Sequence, residues 1–169
     1  MRVFSALAAA GSPDVAVLFA VGVLAGLLAA VVMDWPMSRQ PEGFTPAYVA
    51  TGVLTRTPHE SVRFRDAMVV HHLAGGLAGV LYALAVRGFS VVVPAVVEAG
   101  GLNLLAHLLA VALVVGFIYG FFAHVVLPRA GGRSYEEEAT AVRGQWLRSA
   151  LMFGVTMVIV VPLVFLSIG

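Results

Sequence analysis

The chain contains no cysteine, no lysine and few charges of either sign. The first absence excludes disulfides, thiolate metal sites, iron–sulfur clusters and covalently attached c-type haem. The second excludes a Schiff-base lysine and a phosphate-binding loop of the Gly-Lys-Ser/Thr type. All ten basic residues are arginine, a bias that fits a GC-rich genome better than a mechanism. Only 11% of the 169 residues are charged, against about 25% in soluble domains. No basic domain points to nucleic acid as a partner. There is no HExxH spacing and no nucleophile elbow to suggest a hydrolase.

What the sequence does have is apolar surface. Hydrophobic residues make up 60% of it, and the mean hydropathy is +0.98. One domain of this size has too few polar groups to cover that much apolar surface in water. The expectation is all-α: an integral membrane four-helix bundle, one transmembrane domain over 1–169, in contact with the lipid bilayer. Four spans are read at about 13–34, 66–86, 103–127 and 146–167, each near the roughly 20 residues that cross a 30 Å hydrocarbon core. Ahead of them, residues 1–11 hold one arginine and a short apolar run, marginal for a signal peptide.

Local signals set the ends. Ser12, Pro13 and Asp14 form a helix start, and Trp35 and Pro36 mark the interface and stop of the first span. Thr45-Pro46 predicts a short interfacial helix through Tyr48 to Leu54. Thr57 to Glu60 and Ser134 to Glu137 read as capping boxes that begin the second and fourth helices in water as short cytoplasmic extensions. Residues 87–102, with Pro94, Glu98 and two glycines, read as a surface or re-entrant connection. Pro128 and Gly131-Gly132 end the third helix, and Pro162 predicts a kink in the fourth. The acids Glu136, Glu137 and Glu138 read as a solvated first turn complementing the helix dipole.

Arginine placement orients the chain. Eight arginines lie in or beside the first and third loops, and Arg2 and Arg87 lie on the other side. By the positive-inside rule both long loops face the cytoplasm and both termini face outward, in a multi-pass protein of a prokaryotic plasma membrane. Residues 21–33 and 115–127 align with glycines, alanine and valines in register, which reads as a duplicated two-helix hairpin. Small residues four apart recur on every span: Gly22/Gly26, Gly75/Gly79, Gly116/Gly120 and Ala150/Gly154. Such pairs let membrane helices approach closely.

Ionisable residues inside spans are the functional candidates. Asp34, His71, His72 and His124 fall at similar depth near the cytoplasmic ends of three helices, while His107 stands apart near the other surface. His124 continues the Gly116/Gly120 face at i+4 and is expected to point into a helix contact. Three readings compete: packing and interfacial histidines; axial ligation of a haem b by His124 with His71 or His72; and a metal or proton site using Asp34, His71, His72 and His124.

HHLAGGLAGVLYAL and GFIYGFFAHVVLPRAGG resemble the YagU-like families of small prokaryotic membrane proteins of unknown function. The resemblance covers about 66–148 and rests on His71 or His72, Gly75, Gly79, Tyr82, Gly120, His124, Pro128 and the Glu136 cluster. It implies a helical membrane fold and no particular reaction. From the residues, the first reading is a non-catalytic accessory or homo-oligomeric bundle, alone or in a larger membrane complex, with no cofactor. A haem b redox subunit is the second reading, and metal or proton handling at the cytoplasmic-side cluster the third.

Overall fold

The computed structural model describes residues 13–168, without the side chains of residues 133 and 134. The proposed cap Ser12 and the run 1–11 lie outside the described residues, as does the side chain of Ser134. The elements in order are helix α1 (Val15–Met37), α2 (Thr45–Thr55), a 3₁₀ turn (His59–Ser61) and α3 (Phe64–Val92). A two-stranded hairpin follows, β1 (Glu98–Ala99) and β2 (Leu102–Asn103). Helix α4 (Leu104–Phe121) then runs through a π-helical turn (Phe122–Val126) into α5 (Leu127–Ala130), and α6 (Gly132–Ile168) completes the chain. The fold is all-α apart from that hairpin. Four helical stretches are long and apolar enough to cross a membrane, which makes this a multi-pass membrane protein.

The four spans pack as a ring. Helix α1 lies against α3 and α6, and α4 bridges α3 and α6 on the other side. The centre is filled by Leu18, Met33, Tyr82, Val114, Phe153 and Phe165, all buried. Outside, Leu24, Leu77, Phe117 and Leu163 are exposed, so the spans are apolar all round, as lipid-facing helices must be. A smaller cluster of Val49, Leu127, Tyr135 and Val142 joins α2, α5 and α6 at one end.

Several starts and stops differ from the sequence reading, each for a local reason. Asp14 itself caps α1: its Oδ1 accepts from the amides of Ala16 and Val17 at 2.8 and 3.2 Å. The Thr57–Glu60 box does not form, because the Thr57 hydroxyl donates back to the Thr55 carbonyl. Helix α3 instead begins at Phe64, where Arg63 grips Asp66 in the first turn through two bonds of 2.9 and 3.1 Å. That carboxylate raises the Arg63 guanidinium further above its usual range. The interfacial helix expected from Thr45-Pro46 is α2. In α6 the one non-helical residue is Glu138, and Pro162 lies within the helix.

Residues 87–102 depart most from expectation. Helix α3 runs on through Arg87 to Val92, and at about 1.5 Å per residue its 29 residues reach about 44 Å. It stops because Pro94 pushes Val93 into extended backbone. The rest is a tight hairpin whose two loop residues, Gly100 and Gly101, both have positive φ (56° and 80°), the pattern of a type I′ turn. A side chain on Gly100 would strike the Phe165 carbonyl at the end of α6. Asn103 ties the ends together. Its Oδ1 caps α4 through the Leu105 and Ala106 amides, and its Nδ2 donates to the Val93 carbonyl closing α3.

Pro128 reshapes the third span. Lacking an N–H, it leaves carbonyls of the preceding turn without helical donors. The backbone responds with a wide turn in which the Leu127 amide bonds the Phe122 carbonyl, five residues back. Ala123 loses its usual donor, Leu127, and the next residue able to reach it is Pro128. The Tyr135 hydroxyl supplies the missing bond at 3.3 Å, held in turn by Arg143 Nε at 2.7 Å. The wide turn brings Ala123 and Leu127 into the core and leaves His124 exposed.

Candidate functional site

Span ends place the candidate residues. Asp34 lies in the last turns of α1, and His71 and His72 lie two turns into the antiparallel α3, so the hairpin sets the three at one depth. His72 Nε2 and Asp34 Oδ2 are hydrogen-bonded at 2.9 Å. His71 Nε2 is 3.3 Å from Asp34 Oδ1, but its hydrogen bond goes to the Ala30 carbonyl at 3.2 Å. The two imidazoles meet edge to face, 5.2 Å between centroids. One ligand atom from each residue lies within 4.8 Å of the other two. His71 is buried, while His72 and Asp34 remain about one-third exposed at 33% and 30%.

Donor arithmetic leaves this cluster incomplete. Two neutral rings turned this way offer two N–H groups, to Ala30 and to Asp34 Oδ2. The second carboxylate oxygen, Asp34 Oδ1, is buried with no hydrogen-bond partner. A buried acceptor left unpaired costs about 1–3 kcal/mol. A proton on the carboxyl group or a cation between the three groups would satisfy it.

His124 does not join them. Its side chain is exposed on the π-helical turn, with the Tyr119 ring as its neighbour, edge to face at 5.9 Å. The expectation that it points into a helix contact is corrected, because the Gly116/Gly120 face it continues is itself uncovered. Within one chain, the pairing of His124 with His71 or His72 that a haem b would need is not assembled, and the ligand set narrows to Asp34, His71 and His72.

The expected small pairs divide in the same way. Gly22 and Gly26 meet Gly75 and Gly79 backbone to backbone: a Cβ on Gly22 would sit 2.7 Å from the Gly79 carbonyl, and one on Gly26 would strike the Gly75 carbonyl. Gly154 faces Val115, where a Cβ would come within 2.7 Å, and Ala150 is fully buried. Gly116 and Gly120 have nothing within 4 Å.

A second polar pair escaped the sequence reading. Tyr82 and His107, both buried, are hydrogen-bonded through the hydroxyl and Nδ1 at 2.7 Å, linking α3 to α4. The Val158 carbonyl, which Pro162 leaves without its helical donor, lies beside the ring, yet His107 Nε2 has no hydrogen-bond partner. The signal was available: Tyr82 and His107 lie on either side of the connection at matching depth. Next to the metal-type cluster, His71 also forms part of the wall of a cavity of about 260 Å³, otherwise apolar and lined by Ala47, Gly75, Phe117, Phe122 and Trp146.

Fold and sites together define a polytopic α-helical membrane protein with a partly buried His/Asp cluster. Comparison with protein-family models, with curated proteins and with solved structures found no match to this chain.

Proposed function

We propose that this is a small non-catalytic bundle of the prokaryotic plasma membrane that works by associating with other membrane helices, as a homo-oligomer or as an accessory subunit. The observation that carries this is the uncovered strip at Gly116 and Gly120. In the first half of the chain the matching pair, Gly22 and Gly26, is closed by backbone contact with Gly75 and Gly79. Lipid tails are as apolar as leucine, so helices in a bilayer associate through close packing at small residues rather than through a hydrophobic force. The strip is framed by Phe117 and Phe121, exposed and stacked 5.4 Å apart, which present a ridge beside a groove. Arginine placement supports the orientation, with the loops at 38–63 and 129–148 in the cytoplasm.

The chain has no native cysteine, so position-specific cross-linking is direct. Gly120→Cys, oxidised in native membranes, is expected to give a covalent dimer or an adduct of other defined size. Leu163→Cys, on an exposed face of α6, is expected to stay monomeric. Monomer from both positions refutes association through the third span.

A further inference from the structure

We propose that Asp34, His71 and His72 form a binding site for one divalent first-row transition ion of the Zn²⁺ class. Three observations converge. The donor set is two imidazoles and one carboxylate, each offering one atom within 4.8 Å of the others. Ligands around a tetrahedral ion with bonds of about 2.0 Å stand about 3.3 Å apart. The Asp34–His71 contact is 3.3 Å and the Asp34–His72 contact 2.9 Å, so each imidazole already stands at ligand spacing from the carboxylate, and closing the three groups, now within 4.8 Å, would complete the site. Finally, Asp34 Oδ1 is buried without a hydrogen-bond partner, and the two imidazoles have no further N–H to give it on the sides they present.

The chemistry selects the ion. Mg²⁺ and Ca²⁺ take oxygen ligands almost exclusively, whereas imidazole with carboxylate suits Zn²⁺, Co²⁺, Ni²⁺ and Fe²⁺. The cluster has no thiolate, and the chain has no cysteine to supply one. Three protein ligands leave a position for water, the arrangement of an open rather than a closed structural site. Partial exposure of Asp34 and His72 gives an ion a route in from the adjacent aqueous end. The Ala30 carbonyl, which now accepts from His71, and the Asp34 carboxylate both lie on α1, so an ion here would clip α1 to α3 at the end opposite the hairpin.

The test is Co²⁺ titration of tag-free, chelator-treated protein in micelles, read by visible d–d absorption. One Co²⁺ per chain is expected, displaced by Zn²⁺ and not by Mg²⁺. Asp34→Asn and His72→Gln should each weaken binding by at least about 100-fold, beyond the effect of losing an outer partner. His124→Ala should bind as the parent does. Far-UV dichroism and elution volume establish that the variants fold, and if Asp34→Asn does not, His72→Gln, at a partly exposed position, decides alone. No uptake, uptake that survives both substitutions, or uptake lost with His124 overturns the site. Absent uptake leaves a proton on Asp34 as the group that satisfies Oδ1.

Discussion

Replacing Gly26 by alanine tests how the first two spans are held together. The added Cβ would meet the Gly75 carbonyl oxygen, with the Gly79 nitrogen and Cα at 2.9 and 3.0 Å. All three are backbone atoms, so no side chain can swing away. To restore ordinary contact at about 3.4 Å with the Gly75 carbonyl, the helices must part by about 1 Å, and a gap of that size forfeits about half of each dispersion contact along the seam. Overpacking of this kind costs about 1–3 kcal/mol, and rigid backbone on every side places Gly26 near 3. Alanine returns up to about 1 kcal/mol in helix propensity, so the net loss is about 2 kcal/mol. Gly116→Ala carries the propensity gain with no clash, since nothing lies within 4 Å. Unfolding by denaturing detergent, followed by circular dichroism in monomeric micelles, should therefore move the two variants in opposite directions. Equal effects, or an undisturbed Gly26→Ala, would refute the backbone seam.

Tyr82→Phe is expected to lose about 1–3 kcal/mol in the same assay, because it leaves His107 Nδ1 buried without its partner. The double variant Tyr82→Phe/His107→Leu should recover part of that loss, and a double variant worse than both singles would sink the account. Tyr135→Phe strands the Ala123 carbonyl, which Leu127 and Pro128 cannot serve, and should cost about 1–2 kcal/mol while speeding amide exchange in the wide turn. Gly100→Ala combines a positive φ with a collision on the Phe165 carbonyl. It should loosen the hairpin from α6, seen as faster exchange at the Leu102 and Leu104 amides, and unchanged exchange there would count against docking of the turn.

The spans were legible because hydropathy is a property of long windows, and their composition leaves no other solvent for them. The Asp34–His71–His72 grouping was legible as well, since an antiparallel hairpin forces the end of one span and the start of the next to equal depth. Rotation about the helix axis was harder to read. The spans are apolar on every side, so periodicity does not distinguish the face toward Tyr82 from the face toward lipid, and Gly116/Gly120 carries the same spacing as Gly22/Gly26 while facing outward. His124 was misplaced for that reason, and Pro128, read as a stop, also widens the turn ahead of it. The hairpin was hidden because Glu98 to Asn103 is a pattern of two residues per strand, too short for alternation to register, leaving Gly100-Gly101 as its one signature.

The long α3 and its hairpin make the molecule strongly one-sided. Val91, Val92, Val96 and Val97 are exposed there, and Asp14, Arg87 and Glu98 are the only charges among the described residues at that end. Four bare valines sit comfortably among lipid headgroups and acyl chains and poorly in water. Among the described residues a soluble protein approaching from that side would find little to grip, whereas the opposite end carries most of the arginines. There α2, the wide turn and the start of α3 that carries His71 and His72 pack together in one polar layer at the membrane edge.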